Sequence, residues 1–308
     1  MSHIFEALQR AETERTGESP SAVPESVAEL LERTPSPLNG LGELAPPLSE
    51  HVAAVTGTDA DLLAASRVVV PTPASDARLV CMTDQGSLAA EKFRVLGLRL
   101  RTLREKRSLK KIVITSTIPE EGKTLTAANL ALNQSRSKLL RTVLVDGDLR
   151  RPSVASRFGL SRSLPGLTEC LRGEKTLSEV LYKLQGTNLY VLPAGLPPEN
   201  PLELMQAGRA MEILNRLGNV FDWIIIDSPP VIPLADTTFW IKLSDGVLLV
   251  TREGVTERKP LLRVLENIDR AMLLGLVVNS CSASDHKNYY QRYGKLGSAV
   301  ESPNSDGE

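Results

Sequence analysis

Ile112-Val-Ile-Thr-Ser-Thr-Ile-Pro-Glu-Glu-Gly-Lys-Thr124 runs from an aliphatic strand signal into a Gly-Lys-Thr turn, and a helical pattern over 123–135 follows. Strand, glycine-bearing loop and helix, in that order, turn backbone N–H groups and a helix N-terminus toward a phosphate. Lys123 is then placed to reach β- and γ-phosphates, and the Thr124 hydroxyl to ligate Mg²⁺. Thr117, Pro119, Glu120, Glu121, Gly122 and Leu125 are expected to complete the cradle, and Asn279 is expected among the nucleotide-binding residues. Two positions depart from the usual loop. Thr117 stands in place of its first glycine, and Glu120 adds negative charge where a loop glycine often occurs.

Two more aliphatic runs end in acids. Val143-Leu-Val-Asp-Gly-Asp-Leu-Arg150 carries Asp146 and Asp148 just beyond a strand signal. Alternate residues of an extended segment point the same way, so both carboxylates can face the phosphate site. One suits a Mg²⁺ shell and the other a base that takes a proton from an attacking hydroxyl; the spacing leaves open which does which. Taken alone, Asp-x-Asp after a strand also reads as a turn or helix cap. Ile224-Ile-Ile-Asp-Ser-Pro-Pro230 puts Asp227 at the end of an all-aliphatic run, where a metal-shell carboxylate is commonly found. The expected catalytic set is Lys123, Asp146, Asp148 and Asp227, and the expected metal set is Thr124, Asp146 and Asp227.

Outward from these motifs, strand signals fall at 112–115, 142–145, 189–192, 223–226, 246–250 and 274–278. Helical patterns at 88–104, 123–135, 201–217 and 258–271 lie between or before them. Strands alternating with helices predict an α/β fold: a mainly parallel, twisted sheet with helices on both faces, of the P-loop NTPase kind. Ligands of such sheets bind at the carboxyl ends of the strands, where all three motifs lie.

The N-terminal third has a different texture. No aromatic residue occurs between Phe5 and Phe93, and eight prolines from Pro20 to Pro73 are set among Ser, Glu and Ala. So few large apolar groups cannot offset an ordering cost of roughly 1–2 kcal/mol per residue. The expected organisation is an amphipathic helix over 1–11, a disordered arm over 12–80, a P-loop ATPase domain over 84–287 and a flexible tail over 288–308. Net charge is −1, which argues against nucleic acid as a partner. No apolar run approaches the ~18–20 residues of a membrane helix, and no signal-peptide core is evident. Cys81, Cys170 and Cys281 follow no metal-ligand spacing, nor do His3, His51 and His286, and a reduced cytoplasmic setting is expected.

The aliphatic-aliphatic-aliphatic-Asp-x-Asp-x-Arg string of 143–150, followed by a Walker B ending Asp-x-Pro, resembles the bacterial tyrosine kinases (BY-kinases) of exopolysaccharide and capsule synthesis. Leu192-Pro-Ala-Gly195, Pro197-Pro-Glu-Asn-Pro201, Asp245-Gly-Val-Leu-Leu-Val250 and Leu274-Leu-Gly-Leu-Val-Val-Asn279 extend the resemblance over about 84–295, within the MinD/ParA-like P-loop ATPases. Met1-Ser-His-Ile-Phe-Glu-Ala-Leu-Gln-Arg10 is similar to the start of some polysaccharide-associated members. The resemblance implies ATP- and Mg²⁺-dependent autophosphorylation of C-terminal tyrosines, here Tyr289, Tyr290 and Tyr293, in a neighbouring subunit. It implies a homo-oligomer, a membrane-embedded polysaccharide co-polymerase that activates in trans and recruits the chain to the inner face of the cytoplasmic membrane, and a counteracting phosphotyrosine phosphatase. Glu91-Lys-Phe-Arg94 is similar to part of the family's Glu-x-x-Arg-x-x-Arg oligomerisation motif, with Gly97 in place of its last arginine.

Two other readings stay open. A MinD/ParA-type ATPase switch shares the fold, but usually has a second lysine near Thr117 and Ile118 and, in MinD-like members, a basic amphipathic helix where this chain has Ser302-Pro-Asn-Ser-Asp-Gly-Glu308. A non-catalytic ATP-binding regulator is suggested by Glu120 and by the small number of tyrosines in the tail.

Overall fold

A computed structural model of the chain describes residues 59–137, 139–232 and 235–280. The expected helix over 1–11, the arm as far as residue 58 and the tyrosine-bearing tail over 288–308 lie outside the described residues.

Among the described residues the strands are β1 (Arg67–Val69), β2 (Lys111–Ser116), β3 (Thr142–Asp146), β4 (Tyr182–Leu184), β5 (Leu189–Leu192), β6 (Trp223–Asp227), β7 (Gly246–Arg252) and β8 (Leu273–Asn279). They form one sheet in the order β1-β4-β5-β3-β6-β2-β7-β8. Only the β4–β5 pair is antiparallel. The expected α/β fold, mainly parallel and covered on both faces, is the one observed.

The near-continuous apolar runs of the central strands follow from that double cover. In β6, Ile224 and Ile226 join a core with Leu217 and Trp240, while Trp223 and Ile225 join the opposite core with Ala127 and Leu130. Neighbouring residues point to opposite faces, and both faces are dry. Ala127, Ala128 and Ala131 give the helix Lys123–Gln134 a small-residue face against the sheet. The helix Leu88–Lys106 crosses it at Gly97, where a Cβ would stand 2.1 Å from Asn133 Nδ2. Gln134 donates to the Gly97 carbonyl at 3.2 Å, and Arg101 donates to Gln134 at 2.9 Å. Any side chain at position 97 would have to displace the Asn133 amide; Glu91 and Arg94 pair with each other on the same helix.

Several expected boundaries are corrected. Residues 59–80, expected within the disordered arm, contain the helix Asp59–Ala64, the strand β1 and a 3-10 turn Ser75–Ala77. Leu62 is fully buried, and β1 pairs with β4, so burial and ladder bonds supply what composition did not suggest. The single helix expected over 201–217 is two, Pro201–Gln206 and Arg209–Val220, broken where Gly208 takes φ 91°. The last helix ends at Asn267 rather than 271, before a turn in which Met272 N–H donates to the Asp269 carbonyl at 2.9 Å. Cys81 and Cys170 are free and buried, and burial pushes both thiols up to about 11, which makes them unreactive. No helix among the described residues is long and apolar enough to cross a membrane.

Candidate active site

The three motif strands are neighbours, in the order β3-β6-β2. Register sets Asp146 opposite Asp227, and Asp227 opposite Ile114 of the strand that feeds the phosphate loop. The last of the three in sequence is therefore the middle one in space.

The loop leaves β2 at Ser116 and enters the helix Lys123–Gln134 through Gly122, which holds φ 96°. A Cβ there would lie 2.1 Å from Asn279 Nδ2. Asn279, at the end of β8, donates to the Glu121 carbonyl at 2.9 Å. Its amide thus props the loop backbone. Glu121 is fully buried; its carboxylate accepts from Ile118 N–H at 3.0 Å and from the Thr256 hydroxyl. Glu120 holds φ 66°, a left-handed conformation costing a non-glycine residue of order 1 kcal/mol or more. The sequence departure at Glu120 is thus also a conformational one.

Lys123 Nζ lies 2.8 Å from Asp148 Oδ2 and 3.7 Å from Asp227 Oδ1. The Thr124 hydroxyl donates to Asp227 Oδ2 at 2.6 Å and accepts from the Ser153 hydroxyl at 3.1 Å. Asp146 Oδ2 accepts from Ser153 N–H at 3.0 Å and Val154 N–H at 2.9 Å. Asp148 Oδ1 accepts from Arg151 N–H at 3.1 Å. Trp240 Nε1 donates to the Gly147 carbonyl at 2.9 Å, and Gly147 N–H donates to the Asp227 carbonyl at 2.7 Å, so the turn between the two aspartates is held against β6.

Burial and mutual charge shift the titration of Asp146, Asp227 and Lys123. Burial pushes Asp146 up to about 8, and the charge of Asp227 adds to that shift. Burial likewise raises Asp227, against the opposing pull of Lys123 and of the Thr124 hydroxyl. For Lys123 burial is the largest influence and disfavours the ammonium, yet Asp227, Asp148 and Asp146 together outweigh it and raise its pKa.

Asp146 Oδ1 and Asp227 Oδ1 are buried without a hydrogen-bond partner. These two carboxylate oxygens, the second 3.7 Å from Lys123 Nζ, and the Thr124 hydroxyl form a hard-oxygen donor set that fits Mg²⁺. Among the described residues no group of three or more His, Cys, Asp or Glu side chains is spaced to hold a metal by protein ligands alone. Mg²⁺ commonly takes one or two carboxylates and completes its shell with phosphate oxygens and water.

In front of this cluster lies a cavity of about 590 Å³. Pro119, Glu120, Gly122, Lys123, Thr124 and Leu125 line it from the β2 side. Asp148, Arg150, Arg151, Ser153 and Arg157 line it from the β3 side. Asp148, not Asp146, is the carboxylate of the pair that reaches this space. Thr117 is buried with its hydroxyl unpartnered. Tyr289, Tyr290 and Tyr293 lie outside the described residues.

Sequence reasoning missed Ser153, which caps Asp146 and touches Thr124, and Asp236, which grips Arg150. Neither sits in a motif, and their roles arise from chain segments meeting in space.

No family model matches the chain. A curated relative, the tyrosine-protein kinase YwqD of Bacillus subtilis (strain 168), is 32% identical over 215 residues, covering 68% of this chain and 89% of the relative. Among solved structures, the chimerical protein CapA2B2 aligns with a TM-score of 0.63 at 27% identity, over 72% of this chain and 98% of that one. The kinase domain of the Escherichia coli tyrosine kinase ETK aligns with a TM-score of 0.61 at 25% identity, over 66% of this chain and 82% of that one.

Proposed function

The chain belongs to the bacterial tyrosine-protein kinase family, and from that premise we propose that it is an ATP-dependent protein-tyrosine autokinase governing exopolysaccharide or capsule synthesis and export. The observation that carries the reading is the second acid, just beyond β3: Asp148 reaches the phosphate cavity beside Lys123, while Asp146 stays behind it.

The residues divide the work accordingly. The loop backbone and the N-terminus of the helix Lys123–Gln134 bind phosphate oxygens. Lys123 exchanges its carboxylate partners for the β- and γ-phosphates. Thr124, Asp227 and Asp146 would hold Mg²⁺, which when bound neutralises charge on the transferring phosphoryl group. Asp148, freed from Lys123, takes the proton of the attacking tyrosine hydroxyl. The acceptors are Tyr289, Tyr290 and Tyr293 of a neighbouring subunit, and the activator is a membrane-embedded co-polymerase acting in trans.

Purified protein incubated with Mg-ATP and a candidate activator should gain phosphotyrosine, and Lys123→Met should not. Absence of label with the activator present would overturn the kinase reading. The left-handed Glu120 favours a second reading, a non-catalytic ATP-binding regulator. Tight nucleotide binding without transfer in the same assay would select it.

A further inference from the structure

Three arginines, Arg150, Arg151 and Arg157, line the β3 side of the cavity. Arg150 is pinned by a fork to Asp236, Nε to Oδ2 at 2.6 Å and Nη2 to Oδ1 at 3.1 Å. Asp236 is only 1% exposed, and burying a carboxylate to hold one arginine fixes that guanidinium at the cavity wall. Beside it, the side chains of Arg151 and Arg157 line the same cavity and make no ion pair or hydrogen bond among the described residues.

Position separates these groups from the phosphate cradle. The cradle leaves β2 and the arginines follow β3, with β6 between them. The strands beneath the two walls are two spacings, roughly 10 Å, apart, although Lys123 and Thr124 reach across to Asp148 and Ser153. Phosphoryl transfer runs in line, so the attacking oxygen enters opposite the leaving group and thus from the side away from the loop. Residues flanking the acceptor tyrosine then pass against Arg151 and Arg157.

Resting on the kinase reading above, we infer that Arg151 and Arg157 form an anion subsite that selects acceptor segments bearing a carboxylate or a phosphate next to the tyrosine. Planar guanidinium groups suit both anions, by paired N–H donors. In this chain Tyr289 and Tyr290 are adjacent, so transfer to one places a phosphate beside the other.

Fluorescence anisotropy on the full chain with Mg-ADP tests this without requiring turnover. The probes are labelled peptides of residues 286–294 with position 289 as tyrosine, glutamate or phosphotyrosine. The glutamate and phosphotyrosine peptides should bind about tenfold more tightly than the tyrosine peptide, and the gap should shrink as salt rises. Arg151→Gln with Arg157→Gln should close the gap, and the double lysine variant should restore part of it. Preference for phosphotyrosine alone identifies phosphate as the selected group; preference for both identifies negative charge in general. Equal binding of all three peptides overturns the inference. So does a gap that survives in the glutamine variant, or an equal loss of Mg-ADP affinity in that variant, which would make the arginines nucleotide ligands. Peptide preference without phosphotyrosine formation leaves the subsite standing and removes the kinase reading; transfer without preference does the reverse.

Discussion

Strands β3 and β6 are buried along their whole length and end in Asp146 and Asp227, whereas β1, at the sheet margin, leaves Val68 63% exposed and contributes nothing to the site. The centre has two helical layers over it, and its side chains alternate between two dry cores. The margin is held by a three-residue ladder to β4. Rigidity is concentrated where charge is buried. Holding Asp148 and Asp227 within reach of Lys123, with Asp146 buried opposite Asp227, requires strands that cannot slide, and close packing on both faces supplies that.

That contrast breaks most visibly at Lys123. Lys123→Met should cut phosphotransfer on the order of 10²–10³-fold or more with the circular dichroism spectrum unchanged, because it removes a charge aimed at the transferring group. Stable-isotope or antibody detection of phosphotyrosine against time measures it. A smaller loss would mean that the loop backbone alone does most of the binding.

Next in size is the packing of the centre. Ile225 is fully buried and pairs with Ile112 and Leu144 across two strands, so Ile225→Ala should cost about 2–5 kcal/mol in urea unfolding. Val68→Ala at the margin should stay within about 0.5 kcal/mol. Similar costs at both positions would remove the distinction between centre and margin.

The buried acids should give stability a pH slope. In EDTA-treated protein Asp146 keeps its proton up to about pH 8, while the unfolded chain releases it near the ordinary value of 3.8. The folded state binds more protons through that window, so stability falls as pH rises from about 4 to about 8 and then levels off. Asp227 is raised too, and acts in the same direction. Urea midpoints should drop from pH 5 to pH 8, Asp146→Asn should flatten the slope, and Mg²⁺ should stabilise more at pH 8, where it need not displace the proton. A midpoint that climbs over this range would refute the assignment.

The smallest effect concerns the loop. Glu120→Gly removes both a left-handed side chain and a negative charge from the cavity rim, and should raise stability by about 1 kcal/mol or less. Calorimetry should show ATP binding several-fold more tightly, in keeping with a charge contribution of ~1 kcal/mol. Weaker ATP binding would mark Glu120 as a working part of the cradle.

Much of the centre was legible beforehand. The runs at 112–115, 142–145 and 223–226 became β2, β3 and β6 with one-residue extensions, because strands buried on both faces must be aliphatic throughout. Lys123, Thr124 and Asp227 meet as the loop and strand-end motifs implied. The margin was not legible: β1 and β4 are three residues each, too short to show alternation. Nor was the break at Gly208, since a single glycine inside a helical pattern is often tolerated without ending the helix.

Sequence by itself determined the alternation of strand and helix, the phosphate loop and the acids that end the strands, because local sterics and double-sided burial leave those patterns few alternatives. Tertiary structure alone decided that β6 lies between β2 and β3, which aspartate reaches the cavity, and that Asp236 grips Arg150 from 86 residues away. Such outcomes depend on how crossovers order strands that are interchangeable in pattern, and no short-range preference encodes that order.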